Sequence, residues 1–170
     1  MRKILIILFI LSSVNILSNT GLGVGGVSGG DADLTIGPSL AIMNNPDAEK
    51  LGKSFNFDIA ITWGLFTASS NFKLIDTNGV VDYGAQLEFT IWLFVNIGGG
   101  VGYLFGDNEN IVTHFFIGAP IPTFKRIKIK FLRGLGFNDF VIEPYYRLNF
   151  FNDDKIHEFG LMFKVTTWRG

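Results

Sequence analysis

Few residues in this chain are equipped for chemistry. It has no Cys and only two His, His114 and His157. Nucleophilic and general acid–base catalysis need a nucleophile or a water held by a base, commonly His or paired carboxylates. His114 stands in Thr113-His114-Phe115-Phe116 with no Ser at useful spacing, and His157 precedes Glu158 where a strand is expected to open. Neither belongs to a ligand cluster, so no metal site is expected. Gly21-Leu22-Gly23-Val24-Gly25-Gly26 fits Gly-x-Gly-x-x-Gly, but no strand pattern precedes it and no helix pattern follows. It reads as a tightly curved strand rather than a dinucleotide loop. No cofactor and no catalytic residue are therefore expected.

What the chain does carry is a set of charges at alternate positions: Asp58, Glu88, Glu143, Arg147, Glu158 and Lys164. Each falls on the polar side of an alternating segment. If those sides meet in a narrow interior the charges must pair, because an unpaired buried ion is very costly. Arg147 and Lys164 are expected to partner Glu143, Glu88 and Asp58, plugging the interior. A narrow polar conduit and a catalytic carboxylate pair are the alternatives.

The elements that must position them follow from period two, the signature of strands. Phe55, Phe57, Ile59, Ile61, Trp63 and Leu65 alternate with Asn56, Asp58, Ala60, Thr62 and Gly64. Val81 to Leu93, Phe140 to Phe150 and His157 to Thr167 alternate in the same way. Such runs are about 10–13 residues long, whereas soluble strands average about 5–6 and membrane-spanning strands need about 9–11. Eight strands are expected, near 20–28, 33–43, 54–66, 81–93, 96–106, 111–119, 139–151 and 157–168. Residues 29–32, 67–80, 107–110 and 152–156 would then lie on an extracellular rim, and 44–53, 94–95 and 120–138 on the other. The segment 119–138 holds Pro120, Pro122 and the alternating Lys125-Arg126-Ile127-Lys128-Ile129-Lys130-Phe131. It could be a further strand, a solvated rim, or a basic patch meeting acidic lipid head groups.

Composition separates a membrane barrel from a soluble one. Hydrophobic residues make up 48% and charged residues 17%, with 18 Phe and 21 Gly. A soluble barrel needs an outer face richer in Lys and Glu. Here the apolar sides are Phe, Leu, Ile, Trp and Tyr, and the polar sides mix charge with Gly, Ala and Thr, which suits a crowded interior. Trp63, Tyr83, Trp92, Tyr103, Tyr145, Tyr146 and Trp168 fall near expected strand ends, as interfacial girdles do. Basic Arg2-Lys3 followed by the apolar run Ile4–Leu11 reads as a signal peptide over residues 1–18, leaving 19–170 as one β-barrel domain. Without Arg2 and Lys3 the 14 basic residues fall to 12 against 15 acidic ones, a net of −3 that argues against nucleic acid. A secreted lipocalin-like binder is the soluble alternative.

Phe140-Val141-Ile142-Glu143-Pro144-Tyr145-Tyr146-Arg147-Leu148-Asn149-Phe150-Phe151, a short polar loop, and His157-Glu158-Phe159-Gly160-Leu161-Met162-Phe163 resemble the last hairpin of small outer-membrane barrels of the OmpA/OmpX type, and are similar to spirochaetal barrels of this size. The resemblance implies an antiparallel up-and-down transmembrane barrel in the outer membrane of a diderm bacterium. It implies contact with outer-membrane lipid and insertion by barrel assembly machinery, which usually reads a terminal aromatic; here Trp168 is followed by Arg169 and Gly170. Eight strands leave no aqueous pore of metabolite size. The expected role is structural or adhesive, with a host or extracellular protein met through Asp31, Asn71, Lys73, Asp76, Asn78, Asp107, Asn108, Glu109, Asn152, Asp153, Asp154 and Lys155. A narrow channel and a lipid-modifying enzyme using His114 or His157 are the competing readings.

Overall fold

The computed structural model describes residues 32–45, 50–77, 79–106, 110–151 and 154–167. Nine strands run in chain order: β1 (Ala32–Asn45), β2 (Lys50–Trp63), β3 (Phe66–Thr77), β4 (Val80–Trp92), β5 (Asn96–Phe105), β6 (Asn110–Gly118), β7 (Ile121–Arg126), β8 (Asp139–Phe151) and β9 (Asp154–Thr166), with one short helix, α1 (Lys130–Gly134), between β7 and β8. Every pairing is antiparallel. Neighbours in sequence pair from β1 to β6 and from β7 to β9, β1 pairs β9, and β6 pairs β8, so the sheet closes on itself. Closure removes the edges except along β7, which among the described residues pairs with β8 alone.

Nine strands make eight staves because β6 and β7 share one. Val112–Gly118 of β6 pair with Phe151–Tyr145, the second half of β8, while Ile121, Pro122 and Arg126 of β7 pair with Ile142, Val141 and Asp139 in its first half. The stave is broken at Ala119-Pro120. Across the break stands Pro144 of β8, whose carbonyl accepts from the Ala119 N–H at 3.0 Å. In an antiparallel strand the N–H and C=O of one residue point to the same neighbour. The donor that Pro144 lacks would thus face the one place where the ladder is already interrupted, the position where Pro is tolerated in a sheet.

The expected strands 33–43, 54–66, 81–93, 96–106, 111–119, 139–151 and 157–168 correspond to β1, β2, β4, β5, β6, β8 and β9 with shifted ends. The expected strand 20–28 and the signal region 1–18 lie outside the described residues. The segment 67–80, expected as an extracellular loop, is instead β3 and its turn. One strand expected at the start and one overlooked in the middle leave the stave count at eight but change the sidedness of the early connections. One rim carries the start of β1, the end of β9, the Gly64-Leu65 turn, Leu93–Val95 and residues 127–138; this is called the terminal rim. The opposite rim is where β1 meets β2, β3 meets β4, β5 meets β6 and β8 meets β9. The β1–β2 connection, expected over 44–53 but lying between Asn45 and Lys50, therefore stands on the rim of the β8–β9 connection, not across from it as the strand pattern suggests.

The barrel is inverted relative to a soluble one. Leu40, Ile42, Phe55, Leu74, Leu87, Phe89, Val101, Ile111, Phe115 and Phe159 are exposed on its outside, while Asn56, Asn71, Asn149, Arg147 and Glu158 are fully buried inside. Burying charge while displaying Phe and Leu around a closed sheet is stable only where the surroundings are hydrocarbon. The chain thus has the architecture of a transmembrane β-barrel. Outward Lys53 and Asp76, register partners on β2 and β3, mark where the apolar belt ends below the opposite rim.

The lumen is filled in layers. Met43, Ile75, Leu104 and Val112, with Phe151 and Ile156 against them, form an apolar layer beneath the opposite rim. A polar layer follows, then a second apolar cluster of Ala41, Phe116, Tyr145 and Met162.

A buried ion network as the candidate functional site

Arg147 of β8 is the hub. Its guanidinium gives Nη2 at 3.0 Å and Nε at 3.2 Å to Glu88 Oε2 of β4, and Nη1 at 3.2 Å to Glu158 Oε1 of β9. The cation lies between two aromatic rings, 5.3 Å from the Phe116 centroid and 5.1 Å from that of Tyr145. A planar fork that bridges two carboxylates and stacks on rings is what Arg offers and Lys does not. Glu158 also accepts from Lys73 Nζ of β3, from the Tyr145 hydroxyl at 2.7 Å and from Asn149 Nδ2 at 3.1 Å. Glu88 faces His114 Nε2 of β6 at 3.0 Å. A second pair lies apart from the hub: Lys164 Nζ donates to Glu143 Oε2 at 2.7 Å, and Asn96 Nδ2 donates to Glu143 Oε1 at 2.7 Å.

Strand register assembles these contacts. Arg147 is directly opposite Glu158 on β8 and β9 and opposite Phe116 on β6. Glu88 and His114 belong to strands separated by β5; both register onto Gly100. A Cβ at Gly100 would fall 2.8 Å from His114 Cε1 and collide with the Leu87 carbonyl oxygen. Only a residue without a side chain lets Glu88 and His114 meet above it. Gly160 of β9 plays the same part for Tyr145, whose ring occupies the space a Cβ would need.

All six expected interior charges lie in the lumen: Asp58, Glu88, Glu143, Arg147 and Glu158 are buried, and the Lys164 side chain is 12% exposed. Their partners differ in part from those expected. Lys164 takes Glu143, but Arg147 takes Glu88 and Glu158 rather than Glu143. Asp58 has no ion pair among the described residues; its Oδ1 accepts from Asn71 Nδ2 at 2.6 Å. Two members were missed. Lys73 and Asn71, expected in an extracellular loop, are buried on the lumen face of β3. His114, a candidate for catalysis or metal binding in the sequence, also belongs to the network through Glu88. The signal for Lys73 was present in the period-two set Thr67, Ser69, Asn71, Lys73 and Ile75.

Of the expected loop residues, Asp76 is exposed at the end of β3 and accepts from the Gly79 N–H at 2.9 Å, while Asp154 and Lys155 are exposed at the start of β9. Asp31, Asn78, Asp107, Asn108, Glu109, Asn152 and Asp153 lie outside the described residues. His157 faces outward, its Nδ1 2.9 Å from the Tyr146 hydroxyl.

No family model matches this chain, and no curated protein matches it. Among solved structures it is similar to Ail, the attachment invasion locus protein of Yersinia pestis, at 14% identity and TM-score 0.48 over 82% of this chain and 99% of that one. Ail in complex with the heparin analogue sucrose octasulfate gives 13% identity with the same coverage and TM-score. The KdgM porin in complex with disordered oligogalacturonate gives 9% identity and TM-score 0.30, over 78% of this chain and 97% of that one.

Chemically, the Glu88, Glu143 and Glu158 carboxylates of the network are satisfied from within the barrel among the described residues. Every carboxylate oxygen of Glu88, Glu143 and Glu158 that makes a contact does so inside the wall. The hub links β3, β4, β6, β8 and β9, and Asn56 extends it to β2 and, through Ser39 Oγ at 3.0 Å, to β1. Around the circumference these bonds oppose any separation of staves. Breaking the sheet open would strand ions inside a hydrocarbon slab, the costliest environment for them.

Proposed function

We propose that this chain is an integral outer-membrane protein of a diderm bacterium that acts as a surface-exposed structural or adhesion-type barrel, without enzymatic activity. The observation that carries this reading is the inversion of polarity: an apolar belt outside and a paired ionic lumen inside. Such a lumen offers no ligand a path, so the work belongs to the connections on the rim opposite the termini. On this reading residues 1–18 direct export, barrel assembly machinery inserts the rest, and the terminal rim faces the periplasm.

Catalysis finds little support. His114 and Glu88 hold the geometry of a base and its orienting acid, but both are buried within a packed interior. His157 pairs with Tyr146 on the lipid-facing side. Replacing both His with Ala should leave the lipid composition of the envelope unchanged.

Two measurements test the central reading. The unboiled protein should migrate differently from the boiled one on a detergent gel, as a closed barrel does, and proteases added to intact cells should cut at the opposite rim only. A freely water-soluble monomer that needs no detergent would overturn it.

A further inference from the structure

The terminal rim is built differently from the opposite one. At the Leu93–Val95 turn, Phe94 adopts a left-handed backbone with φ 75° and is 92% exposed. That conformation suits Gly or Asn, not a bulky aromatic. Around it Trp63, Leu65, Phe66, Trp92 and Leu93 are exposed as well. Next along the rim, past β5 and the β6–β7 stave, the β7–β8 connection repeats the theme with charge added. Ile127 and Phe137 are buried, and backbone bonds from Ile127 N to Asn138 O and from Asn138 N to Thr166 O, both 2.9 Å, fix its base to β9. Phe131, at 72%, Ile129 and Leu135 are exposed.

Phe131 on α1 and Leu135, its C-cap, are one turn apart and share a face, while Lys130 and Arg133 share roughly the opposite one. Lys128, Lys130 and Arg133 are all exposed. Between Pro120 and Asn138 the sequence has five basic residues and no Asp or Glu. Exposed aromatic and aliphatic side chains beside cations, at the rim where the apolar strands end, match the interfacial zone of a bilayer whose phosphates carry negative charge.

We infer that residues 127–135 form an interfacial hook: Ile129, Phe131 and Leu135 enter the leaflet at the terminal rim, and Lys128, Lys130 and Arg133 bind the phosphates of anionic phospholipid. The Trp92-Leu93-Phe94 turn, the neighbouring connection on the same rim, sits in the same zone. This inference rests on the membrane-barrel reading above and adds a lipid preference to it. The hook is a clamp on barrel height and tilt, since interfacial aromatics and cations set both.

The absence of Cys makes the test direct. Phe131→Cys and, separately, Phe89→Cys in the belt are labelled with an environment-sensitive fluorophore. Each protein is reconstituted in equimolar phosphatidylglycerol and phosphatidylcholine vesicles with one or the other lipid brominated as quencher. The belt label should be quenched by both lipids alike. The label at 131 should be quenched about twofold or more strongly by brominated phosphatidylglycerol. The variant K128Q/K130Q/R133Q should lose that preference while keeping the quenching. Quenching at 89 but not at 131 would overturn the hook and leave the barrel reading standing. Equal quenching at 131 by the two lipids, or a preference that survives the triple variant, would overturn the anionic recognition. No quenching at either position would overturn both.

Discussion

Arg147 shows how much of this barrel's stability is vested in single side chains. It holds two carboxylates, Glu88 and Glu158, and is itself fully buried between Phe116 and Tyr145. Removing one member of such a set leaves charge uncompensated, which costs about 3–5 kcal/mol. Arg147→Ala should therefore lower unfolding stability in lipid vesicles by that order, read as a shift of the urea midpoint monitored by Trp fluorescence. Arg147→Lys should recover part of it, because a point charge on a flexible stem cannot span both carboxylates in one plane. Lys73→Met should be milder, since Glu158 retains Arg147, Tyr145 and Asn149. If Lys73→Met proved as damaging as Arg147→Ala, the hub would have to be placed at Lys73. The interior charges were legible from alternation alone, but their pairing was not. Register between β4, β5 and β6 decides that Glu88 meets His114, and no local pattern in the sequence encodes a register.

At the scale of elements, β3 and β5 explain both the successes and the failures of reading the sequence. Strands β4, β8 and β9 were legible because their outward residues are mostly large and apolar while their inward sets carry the charged residues Glu88, Glu143, Arg147, Glu158 and Lys164. β3 was not. Its outward set, Phe66, Ala68, Ser70, Phe72, Leu74 and Asp76, is diluted by small and polar residues, and Ser69-Ser70-Asn71 has the composition of a loop. What holds it as a strand is tertiary: it lies between β2 and β4 in unbroken register along its whole length. The β6–β7 stave was ambiguous for a related reason, since Pro120 and Pro122 punctuate a strand that continues past them. β5 carries the opposite lesson, for its glycines are structural. A Cβ at Gly98 would collide with the Phe89 carbonyl oxygen and one at Gly100 with that of Leu87, and backbone has little room to give. Gly100→Ala should destabilise by about 1–3 kcal/mol through overpacking. Gly100→Val, with two more methyl groups aimed at His114, should prevent recovery of the heat-modifiable folded band. Gly79→Ala at the β3–β4 turn, where nothing lies within 4 Å, should fold, its penalty limited to the φ of +85°.

For the whole molecule, the inverted surface makes a prediction that depends on depth. Leu87 lies mid-strand on the belt, while Tyr83, also outward on β4, lies nearer the opposite rim. A charge on the lipid face costs about 2–4 kcal/mol at the midplane and about 0–1 near the interfaces. Leu87→Arg should therefore destabilise the barrel in vesicles about 1–4 kcal/mol more than Tyr83→Arg, whereas in a water-soluble barrel both substitutions would be nearly neutral. The filled lumen adds that planar bilayers containing the protein should show no discrete conductance steps.

Sidedness is the finest test, because the closed topology differs here from what the strand pattern alone suggests. With β3 in place, the connection between Asn45 and Lys50 shares a rim with the β8–β9 connection, and Gly64-Leu65 shares the terminal rim with the start of β1 and the end of β9. Epitope tags placed between Pro46 and Asp47, and between Asn152 and Asp153, should both be bound by antibody on intact cells. A tag at Gly64-Leu65 should be bound only after permeabilisation. If the tag at 46–47 stayed hidden while that at 152–153 was bound, an odd number of crossings would have to lie between the two positions. The eight-stave circuit from β1 to β9 does not permit that, so the pairing scheme itself would fail, not merely the orientation of the barrel.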